Sequence, residues 1–355
     1  MMLPPPRFAL LTWLLLSLTL AGCGGSDHRN NAAPEDTLTF MHDGLEGQVI
    51  HQLYEYEGRI YAASSDGVYS KPHASAQWQP LGLQGTGVTD LVVFNSRHLL
   101  ASTLAGAASQ PHMMESLDGG SSWQSLHSDY QPWKQSADWQ LLAYDEHLHT
   151  LYALSDRQLL ASPDEGRDWQ PLAATDNFMP LFIRRHPLTG EFWTPGYENS
   201  TPVLQVWSAA FDRVTGRYPI TPRESRVFDL LLSPVDPAHL LVSGSQGIWR
   251  SRDQGQSWTL LLSPPAGRLY ASLARDPHNH DLLYTGSRDP ARNNQPLIFE
   301  VSRDQGDTWA QYHYPASHLR GGVRCLLAVA ENHRTLVYLG LDGGGIMKVV
   351  MPLTF

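Results

Sequence analysis

The chain has 355 residues, of which 42% are hydrophobic, and its 35 acidic and 25 basic side chains give a net charge of −10. This acidity argues against nucleic acid or an anionic lipid surface as the main partner. Only two cysteines occur, Cys23 and Cys325, so the composition excludes a disulfide-rich framework, and the hydrophobic content is sufficient for a sizeable core.

Residues 1–22 have the pattern of a lipoprotein signal peptide. One arginine precedes an apolar run over residues 8–20, which is short for a membrane span but suits a secretory signal. The run ends in Leu-Ala-Gly-Cys, which resembles the lipobox of bacterial lipoproteins and implies cleavage before Cys23 and lipidation of that cysteine. Gly24 implies an outer-membrane location facing the periplasm, and residues 23–36 are predicted to be a flexible tether. An ordinary cleaved signal followed by an incidental cysteine is the alternative.

An eight-residue motif recurs along the rest of the chain. Its four clear copies share the pattern Ser-x-Asp-x-Gly-x-x-Trp and read SLDGGSSW (116–123), SPDEGRDW (162–169), SRDQGQSW (251–258) and SRDQGDTW (302–309). An incomplete copy, which lacks the Asp and the Gly, ends at Trp78. Counted from Trp78, the motif tryptophans are 45, 46, 89 and 51 residues apart. The spacing of 89 is two periods, so a degenerate unit is predicted to close near residues 211–218. A fixed period of this length indicates a repeat architecture.

Short alternating apolar segments and Gly or Asp turns surround each copy, which predicts consecutive antiparallel strands with the motif between the third and fourth. Seven such units are predicted, starting near Val49, Val88, Trp139, Phe178, Arg226, Tyr270 and Val323. The last unit stops after three strands, and residues 38–44 form a spare strand that would complete it. The sequence therefore predicts an all-β fold, a single β-propeller over 37–355 with seven four-stranded blades closed by an N-terminal strand. Six blades are the alternative.

The motif is predicted to have a structural role. Its Asp accepts backbone N–H groups of its own turn, its Gly adopts a backbone angle that a Cβ disfavours, its Ser adds a local hydrogen bond, and its Trp buries a large ring. The residues given this role are Ser116, Asp118, Gly120, Trp123, Ser162, Asp164, Gly166, Trp169, Ser251, Asp253, Gly255, Trp258, Ser302, Asp304, Gly306 and Trp309.

This motif resembles the Asp-box, or BNR repeat, and the whole of 37–355 is similar to Asp-box β-propellers. Bacterial sialidases, xyloglucan-cleaving enzymes, sortilin-type receptors and the photosystem II stability/assembly factor carry that repeat. Blade number, length and the lipoprotein signal are most similar to the last family, which is not enzymatic, and the likeness to sialidase-like propellers is more distant. The resemblance implies a binding or assembly role, without carrying a photosynthetic one to this chain.

The loops that differ between units predict the binding side. Long connections at 103–116, 127–139, 196–205 and 287–297 are expected on the face opposite the motifs, where insertions of repeat proteins commonly mark a binding surface. The candidate ligand residues on this face are Trp133, Tyr197, Arg226, Arg288, Arg292, Arg320 and Arg324, and Arg184 lies at a similar position. Several arginines there would bind a carboxylate or phosphate. The alternative is that they are solvated or paired with the many acidic residues, and that Trp133 covers the end of a blade.

No catalytic residue, metal site or cofactor is predicted. The Arg-Ile-Pro phrase of sialidases is absent, the nearest string being FIRRHP at 182–187. The histidines and aspartates of 275–281 lie where a strand-connecting turn is expected, the glycines of 340–348 lack the arrangement of a phosphate loop, and Cys325 lies in an apolar strand. The sequence thus favours a membrane-tethered, non-catalytic platform for an envelope protein. A sialidase-like propeller that binds or cleaves an acidic glycan through its face arginines is the alternative.

Overall fold

The computed structural model describes residues 38–352, except for positions 74, 76, 105–112, 127–138, 156–157, 173–176, 221–224 and 315–318. Met1–Asp36 is a separate unit outside the described residues. Within these ranges the chain consists of strands and irregular segments, and no helix there is long and apolar enough to cross a membrane.

The strands form seven antiparallel sheets, which are the blades of a β-propeller. After β1 (Thr39–Gly44), blade 1 comprises β2 (Ile50–Tyr56), β3 (Arg59–Ser64), β4 (Gly67–Pro72) and β5 (Gln79–Pro80), and blade 2 comprises β6 (Val88–Val93), β7 (Leu99–Thr103), β8 (Met113–Ser116) and β9 (Gln124–Ser125). Blade 3 comprises β10 (Trp139–Asp145), β11 (Thr150–Ser155), β12 (Gln158–Ser162) and β13 (Gln170–Pro171), and blade 4 comprises β14 (Phe178–Pro180), β15 (Arg184–Arg185), β16 (Phe192–Glu198), β17 (Thr201–Trp207) and β18 (Val214–Pro219).

The remaining strands complete the ring. Blade 5 comprises β19 (Val227–Leu232), β20 (Leu240–Gly244), β21 (Gly247–Ser251) and β22 (Thr259–Leu262), blade 6 comprises β23 (Leu269–Arg275), β24 (Leu283–Arg288), β25 (Leu297–Ser302) and β26 (Ala310–Tyr314), and blade 7 comprises β27 (Val323–Glu331), β28 (Arg334–Leu341) and β29 (Ile346–Val350) with β1 at its outer edge. The prediction of seven four-stranded blades is confirmed, and the six-bladed alternative is wrong. The inner strands begin within one residue of the predicted starts.

The two chain ends meet in blade 7. Strand β1 pairs antiparallel with β29, from Thr39 opposite Val350 to Gly44 opposite Ile346, as predicted for a closing N-terminal strand. The fully buried Lys71 of blade 1 donates a hydrogen bond to the Asp43 carboxylate on β1, and Lys348 Nζ lies 3.5 Å from the other carboxylate oxygen. A buried ion pair therefore joins the outer strand of the last blade to the first blade.

The core lies between neighbouring blades. The second and third strands of a blade are covered on both faces, so β3 and β28 are buried along nearly their whole length, whereas the outer strand β9 is exposed. Between blades 2 and 3, for example, Leu100 packs with Leu151 and Leu160, all fully buried. Each such leucine contributes about 1.5–3 kcal/mol of burial free energy. A four-stranded sheet on its own would leave both of these apolar faces in water.

The propeller has two faces. The motif face carries the turns between first and second strands together with the eight-residue motifs, and these are joined by backbone hydrogen bonds such as Gly119 N to Arg97 O at 2.8 Å and Gln305 N to Asp281 O at 2.9 Å. The loop face carries the loops between second and third strands and the connections to the next blade.

The innermost strands are irregular around the central channel. In blades 1, 2, 3, 5, 6 and 7 the pairing register of the first strand shifts, as between Val88 and Asp90 on β6 and between Val227 and Asp229 on β19. In blade 4 the inner strand is split into β14 and β15. Such bulges turn additional side chains out of the regular ladder, here toward the channel.

Candidate functional site

Each clear motif folds into the same hydrogen-bonded loop on the motif face. In the copy at 251–258, the Asp253 carboxylate accepts hydrogen bonds from Ser251 Oγ at 2.7 Å, from Ser257 N at 2.8 Å and from Ser257 Oγ at 2.6 Å, and Gly255 N donates to Ser251 Oγ at 2.7 Å. Gly255 has a φ of +88°, which glycine adopts without strain. The copies at Asp118, Asp164 and Asp304 accept the same backbone bond at 2.8–2.9 Å.

These hydrogen bonds stabilise the charged form of the motif carboxylates. Bonds from the Ser122 hydroxyl and backbone N–H lower the pKa of Asp118 to about 2. The pKa values of Asp253 and Asp304 are lowered as well, for Asp253 chiefly by the Ser257 hydroxyl. Most of the acceptor capacity of Asp253 is thus used within the turn itself, which leaves little for a ligand.

The motif tryptophans bond in two ways. The indole N–H of Trp123 donates to Leu81 O at 2.6 Å and that of Trp258 to Pro219 O at 3.2 Å, and both carbonyls belong to the end of the preceding blade. The indole N–H groups of Trp169 and Trp309 donate instead to the glycine carbonyl of their own motif, at 2.8 and 3.0 Å. In the degenerate blade 4, a Ser208–Asp212 hydrogen bond of 2.5 Å replaces part of the motif.

Most of the candidate arginines lie on the loop face but are neutralised by carboxylates. Arg288 Nη1 lies 2.6 Å from one Asp342 oxygen, and Arg324 Nη1 lies 3.6 Å from the other. Arg292 Nε lies 3.3 Å from Asp289. Arg184, in the channel, pairs with the Asp229 carboxylate at 3.1 Å. The alternative of internally paired arginines therefore applies to these four.

Arg226 and Arg320 differ, because both are exposed and neither has an ion-pair partner among the described residues. They do not form one cluster: Arg226 precedes the inner strand of blade 5, whereas Arg320 precedes that of blade 7. Arg320 is fixed by the 287–297 loop, since its backbone bridges Asn294 and the next residue donates to Asn293 O at 2.5 Å. The structure thus brings together Arg288, Arg320 and Arg324 around blade 7, with Arg226 apart.

A cleft of about 850 Å³ opens on the loop face between blades 4 and 5. It is lined by Asn177, Met179, Leu181, Tyr197, Asn199, Ser200, Ser225, Arg226, Val227 and Phe228. The Tyr197 hydroxyl accepts a hydrogen bond of 3.4 Å from Val227 N, which holds the end of β16 beside the start of β19. Met179 is 37% exposed, so the cleft joins an apolar wall to the unpaired guanidinium of Arg226.

The central channel, of about 620 Å³, contains polar residues that the sequence analysis did not select. On the inner strands, Gln52 accepts a hydrogen bond from Leu91 N at 2.6 Å and Asp229 accepts one from Leu273 N at 3.0 Å, so each links its blade to the next. Burial and the nearby Arg324 lower the pKa of His51 to about 4. A polar residue two positions after the start of an inner strand, as at Gln52, Asp90 and Asp229, is the signal that identifies them.

The remaining positions singled out in the sequence are Cys23, Trp133, Cys325 and the turn at 275–281. Cys23 and Trp133 lie outside the described residues. Burial raises the pKa of the Cys325 thiol to about 12, which makes it a poor nucleophile. Asp276 of the 275–281 turn accepts hydrogen bonds from His278 N at 2.8 Å and Asn279 N at 2.9 Å, and no group of metal-ligating side chains occurs in the part of the chain that the structure describes.

Comparisons with known proteins give the fold. No family model and no curated protein match the chain. Among solved structures, YCF48 from Cyanidioschyzon merolae is similar with a TM-score of 0.63 and 12% identity over 87% of this chain and 98% of that one. The GH74 xyloglucanase from Xanthomonas campestris is similar with a TM-score of 0.65 and 17% identity over 89% of this chain and 54% of that one. A chain of the mitotic checkpoint complex reaches 0.60 with 14% identity. These similarities show a shared β-propeller fold.

Proposed function

We propose that the protein is a non-catalytic β-propeller, tethered to a membrane of the cell envelope, that binds a protein partner through its loop face. The observation that carries the proposal is the cleft between blades 4 and 5. It combines an exposed apolar wall with Tyr197 and an unpaired arginine, and tyrosine and arginine are enriched among the residues that dominate protein interfaces.

The chemistry of the cleft favours a particular partner feature. An apolar side chain would pack on Met179 and Leu181, and a neighbouring carboxylate would pair with Arg226, which has no other ion-pair partner in the described residues. The size of the cleft is within the 300–1,000 Å³ typical of sites that enclose a few side chains or a small ligand. A protein segment that presents an apolar residue beside an acidic one meets both requirements.

The envelope location rests on the sequence. The lipobox-like Leu-Ala-Gly-Cys and the polar segment at 23–36 support a propeller held near a membrane by a lipid on Cys23. The resemblance to the photosystem II stability/assembly factor family supports an assembly role. A tethered platform would gain local concentration on its membrane partners without any additional contact.

Partner capture with matched variants tests the proposal. The tagged, lipidated protein is crosslinked in intact cells and purified from membranes, and co-purified proteins are quantified. We expect one envelope protein in near-stoichiometric amount, with recovery reduced at least about fivefold by Arg226→Ala or Tyr197→Ala, since loss of a central interface residue costs over 1 kcal/mol. Arg213→Ala is the control, because Arg213 is 72% exposed and lies on the motif face. Equal recovery with all three variants would contradict the proposal.

An acidic glycan remains a second candidate, supported by the two exposed, unpaired arginines of the loop face. The neutralisation of Arg288, Arg292 and Arg324 by carboxylates weakens it, because a bound sugar carboxylate would have to displace Asp289 or Asp342. A panel of fluorogenic sialosides separates the candidates. Turnover that Arg320→Ala abolishes in a folded protein would establish the glycan function in place of the platform.

A further inference from the structure

A second cavity opens at the opposite end of the channel. It measures about 470 Å³ and lies on the motif face between the inner ends of blades 1 to 4, away from the cleft between blades 4 and 5. Its charged residues come from three of these blades and are Asp90, Asp145, Glu146, His147, Arg184 and Arg185. What it binds does not depend on the proposed function of the loop face.

The wall of this cavity is aromatic and apolar. Tyr54 and Tyr144 are half-buried, and Ile183 and Phe192 are buried behind them. The ring of Tyr144 is held by an edge-to-face contact with Phe94, with 4.8 Å between ring centroids, and the Tyr54 hydroxyl donates to Glu146 at 3.4 Å. Aromatic faces attract cations and pack well on the methylene groups of a long side chain.

The charges of the cavity do not cancel. Arg185 pairs with Asp145 at 3.0 Å and Arg184 pairs with Asp229 at 3.1 Å, so both arginines already have carboxylate partners. Glu146 and Asp90 have no ion-pair partner in the portion of the chain described. Two carboxylates of the cavity therefore lack a counter-charge among the described residues, one in the turn after β10 at its mouth and one deeper, on β6.

Asp90 is the deeper carboxylate. Burial in the channel raises its pKa to about 6, and a hydrogen bond from Thr89 opposes this shift only in part. Other titratable or charged residues face the channel from the packed strands and turns, namely His51, Asp145, Glu146, His147, Arg184, Arg185, Asp229 and Arg324. A bound cation beside Asp90 would supply the missing counter-charge.

The geometry points to a binding site for an organic cation with an apolar stem, namely a lysine side chain of a peptide that enters the channel from the motif face. The methylene groups would pack between Tyr54 and Tyr144, Glu146 would attract the ammonium at the mouth, and Asp90 would pair with it inside. Ion pairing favours the carboxylate over the acid, so binding requires deprotonated Asp90 and weakens as the pH falls through about 6.

Fluorescence anisotropy with a labelled tri-lysine peptide tests this site at constant ionic strength. The same peptide with acetylated lysines is the neutral probe, and it is expected not to bind. Asp90→Asn should weaken tri-lysine binding at least about tenfold and Glu146→Gln about threefold. Glu57→Gln is the matched control, since Glu57 is exposed on the same face outside the cavity, and it should leave the affinity unchanged.

The pH profile provides an independent readout. The affinity of the wild type should fall between pH 7 and pH 5, the fall should persist in His147→Gln, and it should be absent in Asp90→Asn. Binding of the acetylated peptide at similar affinity would overturn the proposal. So would equal weakening by Glu57→Gln and Glu146→Gln, because this would indicate attraction to the net negative charge alone. If Asp90→Asn does not fold, the comparison of tri-lysine affinity between Glu146→Gln and Glu57→Gln still tests the proposal.

Discussion

Removal of the carboxylate that closes the ring should destabilise the whole propeller. In Asp43→Asn, the fully buried ammonium of Lys71 loses its anionic partner. Breaking one side of a buried pair costs about 3–5 kcal/mol. Over the 315 positions from 38 to 352, an unfolding entropy of about 2.1 cal/mol/K per residue gives ~0.7 kcal/mol/K. The expected fall in melting temperature is therefore about 5–8 °C.

Thermal unfolding followed by circular dichroism measures this fall. The double substitution Asp43→Leu with Lys71→Met should recover much of the loss, because it removes the two most buried charges and keeps the volume filled, while the 17% exposed Lys348 loses its carboxylate partner. Arg213→Gln is the control, since Arg213 and its partner Asp212 are both largely exposed and such pairs contribute little. A melting temperature for Asp43→Asn within about 1 °C of the wild type would refute the role of this pair in closure.

Three further predictions concern other parts of the chain. Asp253→Ala and Asp304→Ala should each lower the melting temperature and leave partner recovery unchanged; lost recovery at unchanged melting would give the motifs a binding role. Burial raises the pKa of Glu300 to about 7 from 4.5, so wild-type stability should fall as pH rises between these values, by on the order of 2 kcal/mol. Glu300→Gln should remove this loss in denaturant titrations at pH 5 and 8, and parallel wild-type and variant curves would contradict it. Cys23→Ser should release the protein from the membrane fraction, and its retention there would refute lipid anchoring.

The fold was predictable because the repeat specifies it locally. Each motif fixes a hairpin through bonds within eight residues, so the third and fourth strands follow directly from the pattern, as at 251–258. The degenerate blade 4 was located by its period, and its outer strand lies at Val214–Pro219, close to the expected 211–218. The pairing of β1 with β29 was predictable because the last unit of the sequence has only three strands, and residues 38–44 form an additional strand at the other end of the chain.

The site was less predictable because it depends on contacts between blades. Arginine positions on the loop face follow from topology, but the pairing of Arg288 and Arg324 with Asp342 joins segments that no short pattern connects. The bulges that turn Asp90 and Asp229 into the channel arise where inner strands converge on the axis, and a local period of two does not reveal them. The cleft at Arg226 exists only once blades 4 and 5 are packed.

Site-specific photocrosslinking tests directly whether the loop face binds a protein partner. A photoreactive p-benzoylphenylalanine is placed at position 179, in the exposed apolar wall of the cleft, or at position 213 on the motif face, and intact cells are irradiated. We expect one discrete crosslinked envelope protein from position 179 and none of it from position 213. The same product from position 213 alone, or from both positions equally, would contradict this expectation.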